Sequence, residues 1–324
     1  MKQLIMISPG KLEYKEVEIP NIKENEVLLK IKYIGICGSD IHVNHGRHPY
    51  TSYPVVQGHE VSAQVVKVGE KVKDFKIGDK VTVQPQVVCG ECYQCLHGDY
   101  NICDNLKVIG FQTTGMASQY FAVDSSKLLL LPEGVNYEKG AMLEPLAVTI
   151  HAIKRGGDIK GKKVLVLGAG PIGNLVAQSA KGMGAESVII TDISDYRLSV
   201  AKKCGIDFCI NTNKDNISNV IVEKFGKDKA DIIFECVGIN TTMGQAINNA
   251  RKGSKIIVVG VFGDLAKVNM GLVQDRELTL IGTLMYKKED FEKAIELVNK
   301  KKINLDELIS KKFKFEDFGL AYDY

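Results

Sequence analysis

The sequence predicts an α/β chain in two parts, a β-rich N-terminal half followed by a doubly wound parallel-sheet half. Three observations carry this. First, the texture changes near Tyr137. Short Val/Ile/Tyr/Phe-rich runs punctuated by Gly, Pro, Asn and Asp precede it, and apolar strands alternating with helical patterns follow it. Second, GAGPIG at Gly168–Gly173 stands directly behind an apolar run. Third, Cys89, Cys92, Cys95 and Cys103 crowd into one stretch of the β-rich half. The chain has 324 residues, and single cores rarely grow past ~250–300 residues, so two domains are expected.

In the first half, EVLLKIKYIGI, EVSAQVVKVG, DKVTVQP and SQYFAVD read as strands, and few helical periods appear before Tyr137. In the second, Lys163–Leu167 is a continuous apolar strand and Pro171–Gly184 a helix. Pro171 sits in the first turn, where its missing N–H costs nothing. Val188–Asp192 is the next strand and SDYRLSVAKKCG the next helix. DFCIN, ADIIFECVG and SKIIVVG supply further strands. Apolar strands alternating with helices imply a parallel sheet covered on both faces. The domain boundary is expected within Glu144–Lys162, inside a helix and its following turn. KEDFEKAIELVNKKKI reads as an amphipathic helix, and FKFEDFGLAYDY begins another in which the sequence ends.

Composition narrows the function. Hydrophobic residues make up 45% and charged residues 25%, as in a soluble globular protein. A net charge of +3 argues against a nucleic-acid binder. The clusters Lys287–Lys288, Lys300–Lys302 and Lys311–Lys312 read as solvated faces. No apolar run is long enough to span a bilayer, and the first twenty residues lack the apolar core and cleavage site of a secretory leader. Cys204, Cys209 and Cys236 stand singly in apolar contexts and read as buried packing residues. This cysteine usage fits a reducing, cytoplasmic setting.

Two motifs speak for themselves. The cysteines lie as C-x2-C-x2-C-x7-C, a spacing at which four thiolates enclose one tetrahedral Zn²⁺ and leave no open position, the mark of a structural site. In GAGPIG, Gly168 permits the tight turn, Gly170 lets the backbone approach a pyrophosphate, and Gly173 lets helix and strand pack. Pro171 and Ile172 open a helix whose N-terminal N–H groups face the phosphates. Asp192 follows 24 residues after Gly168 at the end of the next strand, where its carboxylate accepts from the ribose hydroxyls of NAD and repels the 2′-phosphate of NADP. Arg197, in the helix beyond, bears on that preference. Cys37, His59, Glu60 and Glu144 are scattered through the β-rich half. Taken singly they read as a small core residue, a turn histidine and helix-end or turn charges.

Together with GICGSDIH at Gly35–His42, GHE at Gly58–Glu60, LEPLAV at Leu143–Val148, the cysteine cluster and GAGPIG, the chain resembles the zinc-dependent medium-chain dehydrogenase/reductase family. The branch it resembles is polyol (sorbitol) dehydrogenase-like, over nearly the whole length to about Tyr286. The resemblance implies a GroES-like catalytic domain with two zinc sites at 1–148, a Rossmann NAD-binding domain at 149–284, and a segment at 285–324 returning to the catalytic domain. It implies that Cys37 and His59 ligate a catalytic zinc, with Glu144 where other members carry a cysteine. Glu60 is then a ligand or an outer carboxylate that exchanges with water, and Asp40 orients His59. Ser39 and His42 take relay positions for the alcohol proton, by way of a cofactor ribose hydroxyl, as hydride passes to NAD.

The implied substrate is a polyol or sugar acid, such as sorbitol, L-gulonate, L-idonate or L-galactonate. Met285 stands where the polyol branch usually has an arginine before the tyrosine, which shifts the expectation from sorbitol towards hexonate 5-dehydrogenases. Arg47, His48 and Tyr50 lie where the family places substrate-facing loops, whereas His45 and His97 read as surface residues and His151 carries no assigned role. L-Threonine or 2,3-butanediol as substrate, or a non-catalytic NAD-binding zinc protein, are the alternatives. The resemblance further implies a homodimer or homotetramer.

Overall fold

A computed structural model describes residues 1–324. The chain divides into two compact units, one of Met1–Glu144 with Ile309–Tyr324 and the other of Pro145–Leu308. The division falls inside the helix Leu143–Gly156.

The first unit is built on a five-stranded antiparallel sheet. Its order is Tyr120–Asp124, Glu26–Ile34, Val61–Val68, Lys80–Val83, Leu128–Leu130. Alternation of period two explains the choice of face. Val27 and Leu29, Val61, Ala63 and Val65, and Val81 and Val83 all point into one buried cluster. The strands Glu26–Ile34 and Val61–Val68 pair in a register that sets Ile34 against Val61. This puts the chain just after Ile34 beside the chain just before Val61, and Gly35 N donates to Glu60 O at 2.7 Å. A second cluster gathers Leu4, Met6, Val43, Val55, Val56, Phe111, Phe318 and Tyr322. It joins the N-terminal hairpin, the helix Gly38–Asn44 and the C-terminal helix Phe318–Asp323. Gly38–Asn44 is too short to show a helical period in sequence.

The second unit holds a six-stranded parallel sheet. Its order is Phe208–Asn211, Ser187–Asp192, Lys163–Leu167, Ala230–Glu235, Ala250–Val258, Thr279–Gly282. Order reverses at Lys163–Leu167, the switch point at which doubly wound sheets bind ligands. Val164 and Val166 join one core, while Leu165 and Leu167 join the other. Burial of both faces is why these strands read as unbroken apolar runs. Cys204, Cys209 and Cys236 are half-buried, not enclosed as expected. Cys209 and Cys236 pack at the margin of the first of these cores.

Residues 285–308 lie with this second unit, and the return to the first begins at Ile309. Packing explains the placement, since Tyr286, Phe291, Ala294, Leu297, Ile303 and Leu305 are all buried. The helix Lys288–Asn299 carries a buried acid on its apolar side, Asp290. Its carboxylate accepts from Lys287 N at 2.8 Å, meets Lys154 Nζ at 2.6 Å and lies 2.8 Å from His151 Nδ1. His151, silent in the sequence, is therefore half of a buried pair.

Burial alone would raise the Asp290 carboxyl, but His151, Lys154 and the Lys287 N–H outweigh it and hold it below the ordinary range. The stabilisation is therefore complete above about pH 4 and drains away as pH falls through the lowered value. Asp290→Ala is expected to cost ~2–3 kcal/mol at neutral pH, from a lost cap and lost charged hydrogen bonds. Urea unfolding of both proteins checks this, and the gap between them should narrow below pH 4.

Candidate metal centre

The four clustered cysteines converge as their spacing predicts. Cys89 Sγ lies 3.5 Å from Cys103 Sγ and 4.0 Å from Cys95 Sγ, and Cys92 Sγ lies 3.8 Å from Cys103 Sγ. Zn–S bonds of about 2.3 Å at tetrahedral angles separate sulfurs by about 3.8 Å, so the donor set fits one zinc ion. Backbone N–H groups point at the sulfurs. Cys92 N donates to Cys89 Sγ at 3.4 Å, and Asn105 N to Cys103 Sγ at 3.3 Å. Such donors favour thiolate, and they draw the Cys89 thiol below its ordinary range.

A second constellation forms where the register brings the chain together. Cys37 is the N-cap of Gly38–Asn44, three residues past Ile34, and His59 and Glu60 directly precede Val61. One ligating atom from each of Cys37, His59 and Glu60 lies within 4.8 Å of the others. Burial raises the Cys37 thiol, and Glu60 adds to the rise. Burial also pushes the Glu60 carboxyl up to about 8, against the pull of His59 and with help from Glu144 and Asp40. Burial would lower His59, but Asp40 and Cys37 overcome it and hold the imidazole well above its usual range. The three groups thus hold protons where a cation would satisfy them. His59 Nδ1 is buried with no hydrogen-bond partner and stands 3.6 Å from Asp40 Oδ1. These donors fit a zinc ion with a carboxylate behind its histidine ligand.

The surroundings place the other expected residues. Glu144, in the first turn of Leu143–Gly156, is buried and close enough to raise Glu60, but it lies outside the three-residue group. Ser39 is half-buried in the first turn of Gly38–Asn44, and His42 is exposed one turn on. The Phe111 ring lies 4.8 Å from the His59 ring on one side and stacks on His48 at 4.8 Å on the other. Burial and then His42 lower the His48 imidazole, so it is neutral near pH 7. Arg47 and Tyr50 are exposed beside it, as His45 and His97 are on their own loops.

In the second unit, Gly168 takes φ +99, and a Cβ on Gly173 would stand 1.9 Å from Gly168 O. A Cβ on Gly170 would meet nothing within 4 Å, so the bare start of Pro171–Gly182 faces open space, as a pyrophosphate cradle requires. Asp192 ends its strand and grips the turn. Its Oδ2 accepts from Ala169 N at 2.8 Å and its Oδ1 from Ser194 N at 2.9 Å. A carboxylate takes about four donors, so capacity for ribose hydroxyls remains. Arg197 Nη1 stands 3.7 Å from Asp192 Oδ2. Glu235, missed in the sequence, is wholly buried at the neighbouring strand end. It accepts from Val237 N, Gly238 N and Thr242 Oγ1 at 2.7–3.0 Å, shaping the loop that touches Gly168.

Two families match the chain, the alcohol dehydrogenase GroES-like domain at residues 23–133 and the zinc-binding dehydrogenase at 171–300. A sorbitol dehydrogenase of Halalkalibacterium halodurans is 37% identical over 99% of this chain and 95% of its own. An L-galactonate-5-dehydrogenase of Escherichia coli K12 is 32% identical over 100% and 94%. The chain belongs to the zinc-dependent medium-chain dehydrogenase/reductase family, in its polyol dehydrogenase branch. This dehydrogenase also superposes on a short chain alcohol dehydrogenase from Escherichia coli CFT073 complexed with NADH. That match has a TM-score of 0.92 and 31% identity, over 100% of this chain and 94% of the other. Its own features include Met285, in a left-handed conformation (φ +52) just before buried Tyr286.

Because zinc-site formation is coupled to folding, Cys92→Ala should release one zinc and lower the melting temperature of the dehydrogenase. Calorimetry with metal analysis checks this. An unchanged melting temperature would remove the cysteine cluster from the stability of the fold.

Proposed function

We propose that this dehydrogenase oxidises a secondary alcohol of a sugar acid or polyol to the ketone, with NAD as hydride acceptor. The observation that carries the proposal is the convergence of Cys37, His59 and Glu60 within 4.8 Å, beside a wall made by Phe111 and His48. Cys37 and His59 would hold a zinc ion with Glu60 or Glu144. When bound, zinc acts as a Lewis acid that lowers the pKa of a hydroxyl.

The chain's own residues do the rest. Ser39 and His42 are three apart on one helix, so they share a face that leads from a half-buried to an exposed position. This suits them to pass the alcohol proton to solvent. Glu60, pushed up to about 8, suits either a proton or a cation and so can move between the two. Exposed Arg47 beside neutral His48 suits a substrate that carries a carboxylate or several hydroxyls. The sorbitol and L-galactonate dehydrogenases among its relatives point to the same substrate class.

For the cofactor, Asp192 offers acceptors to a ribose diol and repels a 2′-phosphate, which favours NAD. A homodimer or homotetramer in the cytoplasm completes the reading, since a cysteine set at metal spacing suits a reducing compartment.

The test is NADH formation on sorbitol, xylitol, L-gulonate, L-idonate, L-galactonate, L-threonine and 2,3-butanediol, with and without a zinc chelator. Chelator-sensitive turnover of a sugar acid or polyol is expected. Turnover confined to L-threonine or butanediol, or indifferent to chelator, would contradict the proposal. NAD should give a higher kcat/KM than NADP, and Asp192→Ala should narrow that preference. A native preference for NADP would contradict the assignment of Asp192.

A further inference from the structure

Behind His59 runs a line of buried polar groups that reaches the C-terminal helix. Tyr322 Oη donates to Gln57 Oε1 at 2.6 Å. Gln57 Nε2 donates to Asp40 Oδ1 at 2.9 Å, and Cys37 N donates to Asp40 Oδ2 at 2.9 Å. The same Oδ1 faces His59 Nδ1 at 3.6 Å. Asp40, Gln57, His59 and Tyr322 are 2–8% exposed, so water does not substitute for these partners.

The polarity of this line is fixed by chemistry. Both Asp40 oxygens accept, Oδ2 from Cys37 N and Oδ1 from Gln57 Nε2, so Gln57 turns its NH2 towards Asp40. Its carbonyl oxygen then faces Tyr322, which must donate. Reversing the amide would set two acceptors against each other in a buried place, at the cost of an unsatisfied group. Burial, and then Asp40, raise the Tyr322 phenol, so it keeps the proton it donates. Tyr322 is held in turn by the Phe318 ring at 5.4 Å, within the cluster that includes Leu4, Met6 and Val43.

We propose that Gln57 and Tyr322 are positioning residues of the metal centre. Through Gln57, Tyr322 fixes the Asp40 carboxylate against His59 Nδ1, which leaves Nε2 as the atom free to ligate. The C-terminal helix is thereby part of the support of the catalytic metal site. This rests on Cys37, His59 and Glu60 holding zinc.

The test follows zinc release from the full-length protein to a chelating dye, with the Cys37-dependent phase identified by its loss in Cys37→Ala. Loss of a partner behind a ligand typically costs 10–100-fold in metal affinity, so Tyr322→Phe should speed that phase about 10-fold and leave the cysteine-cluster phase unchanged. Gln57→Leu removes both bonds at similar volume and should speed it at least as much. Because Tyr322 acts through Gln57, the double variant should release no faster than Gln57→Leu alone. With Co²⁺ in the site, both single variants should shift the ligand-field bands.

Wild-type release and unshifted bands in Tyr322→Phe and Gln57→Leu would overturn this proposal while leaving the zinc reading intact. Additive acceleration in the double variant would also overturn the path through Gln57. Absence of any Cys37-dependent phase in the wild type would instead overturn the zinc reading, and this inference with it.

Discussion

The metal centre depends on one close approach, that of Gly35 to Glu60. The backbone bond from Gly35 N to Glu60 O, at 2.7 Å, extends the strand register that sets Ile34 against Val61. A Cβ on Gly35 would stand 2.2 Å from Glu60 Oε2 and 3.0 Å from Glu60 Cβ, so any larger residue there would push the Glu60 carboxylate out of its place. Cys37 then falls opposite His59 and Glu60 with no further instruction. The sheet core of alternating valines and leucines fixes the register, because a slip by one residue would turn Val61, Ala63 and Val65 out of the core. Packing thus sets the chemistry of a site to which it contributes no ligand.

That meeting concentrates charge. Asp40, Glu60 and Glu144 are buried around a thiol and an imidazole, an arrangement that is unfavourable unless positive charge balances it. Burial holds the Cys37 thiol and the Glu60 carboxyl up, Asp40 holds the His59 imidazole up, and a divalent cation bound there would balance the charge by displacing protons. The cysteine cluster solves the same problem in another way. Its thiols draw on backbone N–H groups of a short loop, so the site is local and closed. The two candidate metal sites differ in where their counter-charge comes from.

Legibility in the sequence follows the same division. Features confined to a short stretch were readable, among them the period-two strands, the apolar parallel strands, GAGPIG with Asp192, and the cysteine spacing. The Cys37, His59, Glu60 and Glu144 set spans much of the first unit and emerged only through resemblance, because residue spacing says nothing about which strand ends meet. Gln57 and Tyr322 stand 265 residues apart in sequence, so no local pattern links them. His151 and Asp290 escaped for the same reason. The helix Gly38–Asn44 and the strand Thr279–Gly282 were too short to register as periods. Apolar neighbours make Cys204, Cys209 and Cys236 read as buried, yet all three are half-buried, with Cys209 and Cys236 at the margin of a core.

Two candidate zinc sites of different chemistry share the first unit, one closed by four thiolates and one assembled by strand register. The most direct measurement is the zinc stoichiometry of the intact chain by native mass spectrometry, for the wild type and for Cys37→Ser. The account predicts two zinc ions per wild-type chain, and one per Cys37→Ser chain in a protein that is still folded. One zinc in the wild type, or two in Cys37→Ser, would contradict it.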